Sequence, residues 1–137
     1  MYLLDTNVLS ELRKANKANQ GVRVWAGATP TASLYISAIS ILELEIGVLL
    51  IERRDRKQGK ILRSWIDTQV IPAFADRILA IYTVVAQRCA ALHIPDPRSD
   101  RDALIAATAL VHGMTVVTRN VSHFQSMEVA VVNPWQD

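Results

Sequence analysis

Tyr2-Leu3-Leu4 is an apolar run that stops at Asp5, and Thr6, Asn7 and the apolar pair Val8-Leu9 follow at once. No other stretch restricts the fold as tightly. The triplet is too short for a helix and reads as a buried strand. Val8 opens a helical pattern, with Leu9 and Leu12 inward, that extends to about Asn16. A strand that ends on a carboxylate and turns into a helix leaves that carboxylate at the C-terminal edge of a sheet, where open parallel α/β sheets bind ligands. An ionised carboxylate in that position needs a partner. Capping the next helix would supply one, and a bound cation another. Asp5 is therefore the first candidate for a metal-binding catalytic residue.

The rest of the chain alternates strand-like and helix-like patterns. Lys14 to Gln20 is polar, Gly21 reads as a break, and Val22 to Ala26 as a short amphipathic helix before the turn at Thr29-Pro30. Leu34 to Ser37 is a second strand. Ser37 or Ser40 then caps a helix in which Ile39, Leu42, Ile46, Leu49 and Leu50 recur at helical spacing. That pattern resumes at Ile61, Leu62, Trp65 and Ile66, giving one long helix or a broken pair. Val70-Ile71-Pro72 reads as an edge strand. Asp76 is placed to cap a helix carrying Ile78, Ile81, Tyr82, Val85, Cys89 and Leu92 on one face. Residues 94–99 form a loop. Asp102 opens an alanine-rich apolar helix, Ala103 to Val111, that Gly113 ends as a C-cap. Thr115 to Thr118 and Val129 to Val132 are further strands. Such alternation predicts βαβ units, and hence a parallel sheet flanked by helices, without fixing the strand order.

At 137 residues, half of them hydrophobic and 20% charged, the chain is expected to form a single domain over residues 1–137 with a sizeable core. The net charge of +2 is only a weak lean toward polyanions. A single cysteine, Cys89, excludes an internal disulfide and suits a reducing compartment; on the apolar face of its helix it reads as a buried structural thiol. No apolar run reaches the ~20 residues that span a bilayer, and the N-terminus lacks the basic start of a signal peptide. The expectation is a soluble, cytoplasmic protein with no membrane partner.

Two further acids belong beside Asp5 in such a domain. Glu43 lies in the first two turns of the helix after the second strand, and Asp102 at the start of the alanine-rich helix. Like charges so gathered repel and raise one another's pKa, whereas Mg²⁺ or Mn²⁺ favours several carboxylate oxygens. Taken singly, Asp102 also reads as a helix cap and Glu43 as a solvated helix residue.

The segments L-L-D-T-N-V-L-S-E, E-L-E-I-G-V and D-A-L-I-A-A-T-A-L-V-H-G-M-T-V-V-T-R-N together resemble the PIN-domain ribonucleases, in particular the VapC/FitB-type toxins of bacterial toxin–antitoxin pairs. The late Asn133-Pro134-Trp135 fits the FitB-like branch. The resemblance implies a parallel sheet of about five strands, an acidic pocket for Mg²⁺ or Mn²⁺, endonucleolytic cleavage of RNA, and neutralisation by a small antitoxin. It places the family's acids on Asp5, Glu43 and Asp102, and the small polar residues near the metal on Thr6, Thr118 and Asn120. It departs at His123, which stands where the family commonly has a fourth acid. A neutral imidazole brings no negative charge and is a poor ligand for Mg²⁺, so a tightly held second metal is in question and His123 reads equally well as a loop residue.

Arg13 and Arg119, near the acidic edge, are the candidates for RNA phosphate contacts. The basic run Arg53, Arg54, Arg56, Lys57, Lys60 and Arg63 is interleaved with Glu52 and Asp55. It reads more readily as a solvated face, with Glu52 and Arg56 an i,i+4 pair. Trp25, Trp65 and Trp135 form no stacking pattern. The apolar residues from Ile46 to Ile51 exceed what one buried face needs, and suit an antitoxin groove or a homodimer surface, extra core being the alternative. Two other functions compete. An aspartate-based phosphotransferase would want a late lysine, and no Lys follows Lys60. A PIN-like nucleic-acid-binding module without catalysis is favoured by His123 and opposed by the three acids.

Overall fold

The computed structural model describes residues 1–135. Its centre is β1 (Tyr2–Leu4), flanked by β2 (Leu34–Ser37) and β4 (Thr115–Val117); β3 (Ile78–Leu79) and β5 (Val131–Val132) complete a five-stranded parallel sheet in the order β3-β2-β1-β4-β5. The register pairs Leu3 with Tyr35 on one side and with Val116 on the other. The chain leaves β1 toward β2 and later enters β4 on the opposite side, so the boundary between β1 and β4 is the point where connections diverge. Crevices in such sheets open there.

The pleat sends successive side chains to opposite faces, and each face has its own core. Leu3 and Val116 pack with Val85 and Cys89 of α6 (Thr83–Leu92) and with the buried alanines of α7 (Asp100–His112). Leu4, Val117 and Ile36 pack with Val8 and Leu9 of α1 (Thr6–Leu12), with Leu44 and Val48 of α3 (Ala38–Arg54), and with Ile66 and Val70. Leu3, Leu4, Ile36, Val116 and Val117 are fully buried, each contributing roughly 1.5–3 kcal/mol from burial. Alanines 103, 106, 107 and 109 let α7 lie close to the sheet, as their small size predicts. Gly113 ends the helix in the left-handed conformation, φ 66°.

Several elements differ from the sequence expectation. The first helix begins at Thr6 and ends at Leu12. Helix α2 (Gln20–Ala28) runs through Gly21, which the sequence marked as a break. A Cβ on Gly21 would collide with the Pro134 carbonyl oxygen, so the glycine admits a close approach of the segment after β5. On α3, Ser37 is the cap, its Oγ accepting the Ile39 N–H at 3.0 Å. Leu42, Leu49 and Leu50 do not face the core; they are 45%, 54% and 56% exposed. Asp55 breaks the helix pair, and its carboxylate caps α4 (Arg56–Trp65) through Gln58 N–H. Glu52 and Arg56 therefore sit on different helices, and Glu52 instead lies 3.9 Å from Arg63.

Val70-Ile71-Pro72 is helical rather than an edge strand. A wide π turn (Ile66–Val70) carries α4 into the short α5 (Ile71–Ala73), because Ile66, Val70 and Phe74 continue the one-face spacing of Leu62. The edge strand beside β2 is β3, in residues expected to be helix. Ile36 pairs with Ile78 and Ser37 with Leu79, and α6 starts only at Thr83. Pairing with the open edge of β2 outweighs a helical pattern that a two-residue strand cannot contradict. The last two strands are shorter than expected, at 115–117 and 131–132. No helix among the described residues is long and apolar enough to cross a membrane.

The packing at Gly21 yields a sign test. Gly21→Ala should lower the unfolding free energy by about 1–3 kcal/mol, as overpacking does, measured by chemical denaturation. If instead it gained the ~1 kcal/mol that helix propensity alone would give, the contact with Pro134 is not a real constraint.

Candidate active site

The carboxyl ends of β1 and β4 open into a cleft of about 820 Å³ lined by Asp5, Glu43, Asp102, Arg119, Asn120 and His123, among others. Asp5, the first residue after β1, is 6% exposed. It holds the N-cap position of α1, yet its Oδ1 accepts only the adjacent Thr6 N–H, at 2.8 Å. Ordinary capping reaches one or two residues further. Its Oδ2 accepts from Thr118 Oγ1 at 2.8 Å and from Asn7 Nδ2 at 3.2 Å. Burial pushes the Asp5 pKa above its ordinary value. The bonds from Thr118 and Thr6 pull it back, the charge of Asp102 raises it again, and His123 lowers it.

The other two acids come from opposite layers. Glu43, on the second turn of α3, accepts Thr6 Oγ1 at 2.7 Å and has its other oxygen 3.7 Å from Arg101. Asp102 is the third residue of α7; Ser99 takes the N-cap position, so Asp102 is not the cap. Its Oδ2 lies 3.1 Å from His123 Nδ1, an imidazole half exposed in a tight turn after β4. The helix N-terminus favours a carboxylate there. The three acids share the cleft without converging: among the described residues, no three His, Cys, Asp or Glu side chains form a ready coordination sphere.

Thr6, Thr118 and Asn120, read as supporting polar residues, sit within this network. Thr118 is fully buried; it donates to Asp5 and accepts from Asn7 Nδ2 and the Asn120 N–H. Asn7 is the residue the sequence reading passed over. Its Nδ2 serves both Asp5 and Thr118, and its Oδ1 accepts the Arg119 N–H at 3.3 Å. The signal was its place two residues beyond a buried carboxylate, where an amide can donate and accept at once. Trp135, one of three tryptophans with no stacking pattern in the sequence, also lines the cleft, with the Arg119 guanidinium 5.7 Å from its ring centroid. Arg119 thus reaches the cleft and Arg13 does not: it lies over Trp65, 5.9 Å from the ring centroid.

Of the basic run, Arg63 is tied to Glu45 at 2.6 Å, with Asp67 and Glu52 nearby, and braces α3 against α4. Cys89 is buried, and burial raises its thiol pKa.

Comparison with known proteins places this architecture. The PIN domain family model matches residues 2–128. The chain is 35% identical over 141 residues to the VapC ribonuclease Y4jK of Sinorhizobium fredii, covering 99% of each. It superposes on the crystal structure of FitAcB from Neisseria gonorrhoeae with a TM-score of 0.90, at 35% identity and over all of both chains. It matches a toxin-antitoxin complex from Klebsiella pneumoniae with a TM-score of 0.71, at 27% identity and over 98% of both chains. The buried carboxylate at the end of β1 and the acids that face it are thus set in a known frame, and the chain belongs to the PIN-domain family.

Proposed function

We propose that the chain is a metal-dependent endoribonuclease that acts as the toxin of a toxin–antitoxin pair. The observation that carries this is Asp5: a buried carboxylate, oriented by Thr118 and Asn7 and facing a cleft shared with Asp102 and Glu43. The names of its relatives, a VapC ribonuclease and a toxin-antitoxin complex, point the same way.

The donor set suits a hard divalent cation. Asp5 is buried and feels the charge of Asp102, a repulsion that Mg²⁺ or Mn²⁺ would relieve. Asp5 and Asp102 would hold the ion, with Glu43 joining directly or through water. When bound, it supplies Lewis-acid polarisation of a phosphate and makes water a better nucleophile. The chain's own groups do the rest. Glu43, steadied by Thr6, takes the proton of the attacking water. Arg119 and Arg101 lie at the cleft to attract the phosphodiester. His123 engages Asp102 where a fourth acid would add charge, so one cation is the expected complement.

The partner is a small antitoxin protein. The exposed face of α3 with Leu42, Leu49 and Leu50 is the kind of apolar surface that a partner, or a second copy of the chain, covers.

Incubated with structured RNAs and Mg²⁺ or Mn²⁺, the wild-type protein should cleave endonucleolytically. Asp5→Asn should reduce the rate by roughly 10²–10⁴-fold, the range of single catalytic groups, with an unchanged circular dichroism spectrum. Full metal-dependent cleavage by that variant would sink the assignment.

The raised pKa of Asp5 adds a second test. Its folded pKa lies above the ordinary aspartate value, so the folded protein binds this proton more tightly than the unfolded chain. Stability from the group is complete below about that value and is lost as pH climbs through the folded pKa. Without metal, Asp5→Asn should melt higher than wild type at pH 8, and the gap should close as the pH falls toward 4. A gap that is negative at pH 8, or independent of pH, contradicts this reading.

A further inference from the structure

A second groove, of about 480 Å³, runs beside the end of α1 and is lined by Arg13, Lys60, Ile61, Ser64, Trp65 and Gln69. It contains two cations and no acid. Among the described residues, neither Arg13 nor Lys60 has a carboxylate within ion-pair distance, whereas Arg63 on the same helix is occupied by three and Lys14 by Glu11. Trp65 is partly buried beneath the Arg13 guanidinium, and Ile61 is half exposed. Positive charge beside a partly exposed indole is the combination that holds single-stranded nucleic acid, with phosphates on the cations and bases on the ring.

The groove adjoins the catalytic cleft. Ser10, Glu11 and Lys14 of the same helical turn line the cleft, and Arg13 between them lines the groove. Asp5 and Arg13 are eight residues apart along α1, about 12 Å of helix, or on the order of three to four stacked nucleotides at ~3.4 Å each. At the cleft itself Arg119 lies over Trp135, so a guanidinium-over-indole pair stands at each of the two openings.

We propose that this groove is a subsite for single-stranded RNA flanking the cut, in which Trp65 stacks a base and Arg13 and Lys60 hold phosphates. The assignment rests on the ribonuclease reading above. In the free protein the Arg13 guanidinium covers the indole. A bound strand takes the ring face, and the guanidinium moves to the phosphate.

The test uses the full chain carrying Asp5→Asn, so that RNA is bound and not cut, with fluorescence anisotropy of a labelled ~20-nucleotide single strand and of a trinucleotide that spans only the cleft. Adding Arg13→Ala and Lys60→Ala should weaken binding of the long RNA about 10-fold or more. It should flatten the dependence of log K on log salt by about 1.4, or ~0.7 for each phosphate released, and leave the trinucleotide unaffected. Arg53→Ala with Arg54→Ala removes the same charge elsewhere and should leave both RNAs bound as before. Trp65→Phe, which keeps an aromatic face, should retain most of the long-RNA affinity that the charge variant loses.

The proposal is overturned if the long RNA binds the Arg13/Lys60 variant normally, if both RNAs weaken equally, or if the Arg53/Arg54 control weakens binding as much. It is also overturned if RNA binding is unchanged and affinity for the co-expressed antitoxin falls instead, which would give the groove to the protein partner. Cleavage by the unmodified chain, run alongside, separates the two readings. Absence of cleavage defeats the nuclease assignment, whereas cleavage with normal binding by the Arg13/Lys60 variant defeats only the groove.

Discussion

The hydrogen bond from Thr118 Oγ1 to Asp5 Oδ2, 2.8 Å long, joins residues 113 apart in the chain. It crosses the boundary at which the sheet's connections diverge, and it holds in place a carboxylate that would otherwise be a buried, poorly paired charge. Much else is arranged so that this bond can form. Parallel pairing of Leu4 with Val117 brings the two strand ends level, and the Asp5 N–H bonds the Val117 carbonyl at 2.9 Å. Asn7 then braces both side chains from the first turn of α1. The site is thus a product of sheet register: a slip of one residue would turn Asp5 away from Thr118 and into the opposite face.

What the sequence disclosed follows from how local each signal was. Tyr2-Leu3-Leu4 before Asp5, Leu34 to Ser37 before a helix, and the alanine-rich run ending at Gly113 each declare themselves within a few residues, and those elements were legible. Ile78-Leu79 was not, because two strand residues carry no period and their pairing partner lies some forty residues earlier. Val70-Ile71 misled through β-branched chemistry. The decisive pattern there was the spacing of Leu62, Ile66, Val70 and Phe74, which spans three elements. The three acids could be named from their places after strands and at helix starts, yet their hydrogen bonds could not. Asn7 and Arg101 matter through partners 111 and 58 residues away. Arg13 shows the limit most clearly: proximity in sequence to Asp5 suggested the cleft, whereas the helix carries it to the neighbouring groove.

The basic segment that spans the end of α3 and most of α4 illustrates how charge counts divide once structure is known. Arg63 is spent on bracing the helix pair, Asp55 on ending one helix and starting the next, and Lys60 faces a groove with no acid. One charged stretch therefore serves as brace, boundary and surface charge. The apolar residues of α3 divide in the same way. Leu44 and Val48 go to the core, while Leu42, Leu49 and Leu50 stay in solvent.

The bond between Thr118 and Asp5 also sets an order of events during synthesis. Asp5 leaves the ribosome well before β4 and Thr118, which follow it only after more than a hundred further residues. Until then β1 lacks its β4 neighbour, the carboxylate lacks its hydroxyl donor, and the wall that Arg119, Asn120 and Trp135 give the cleft does not exist. The interval before β4 pairs with β1 is thus a built-in delay in the assembly of the cleft.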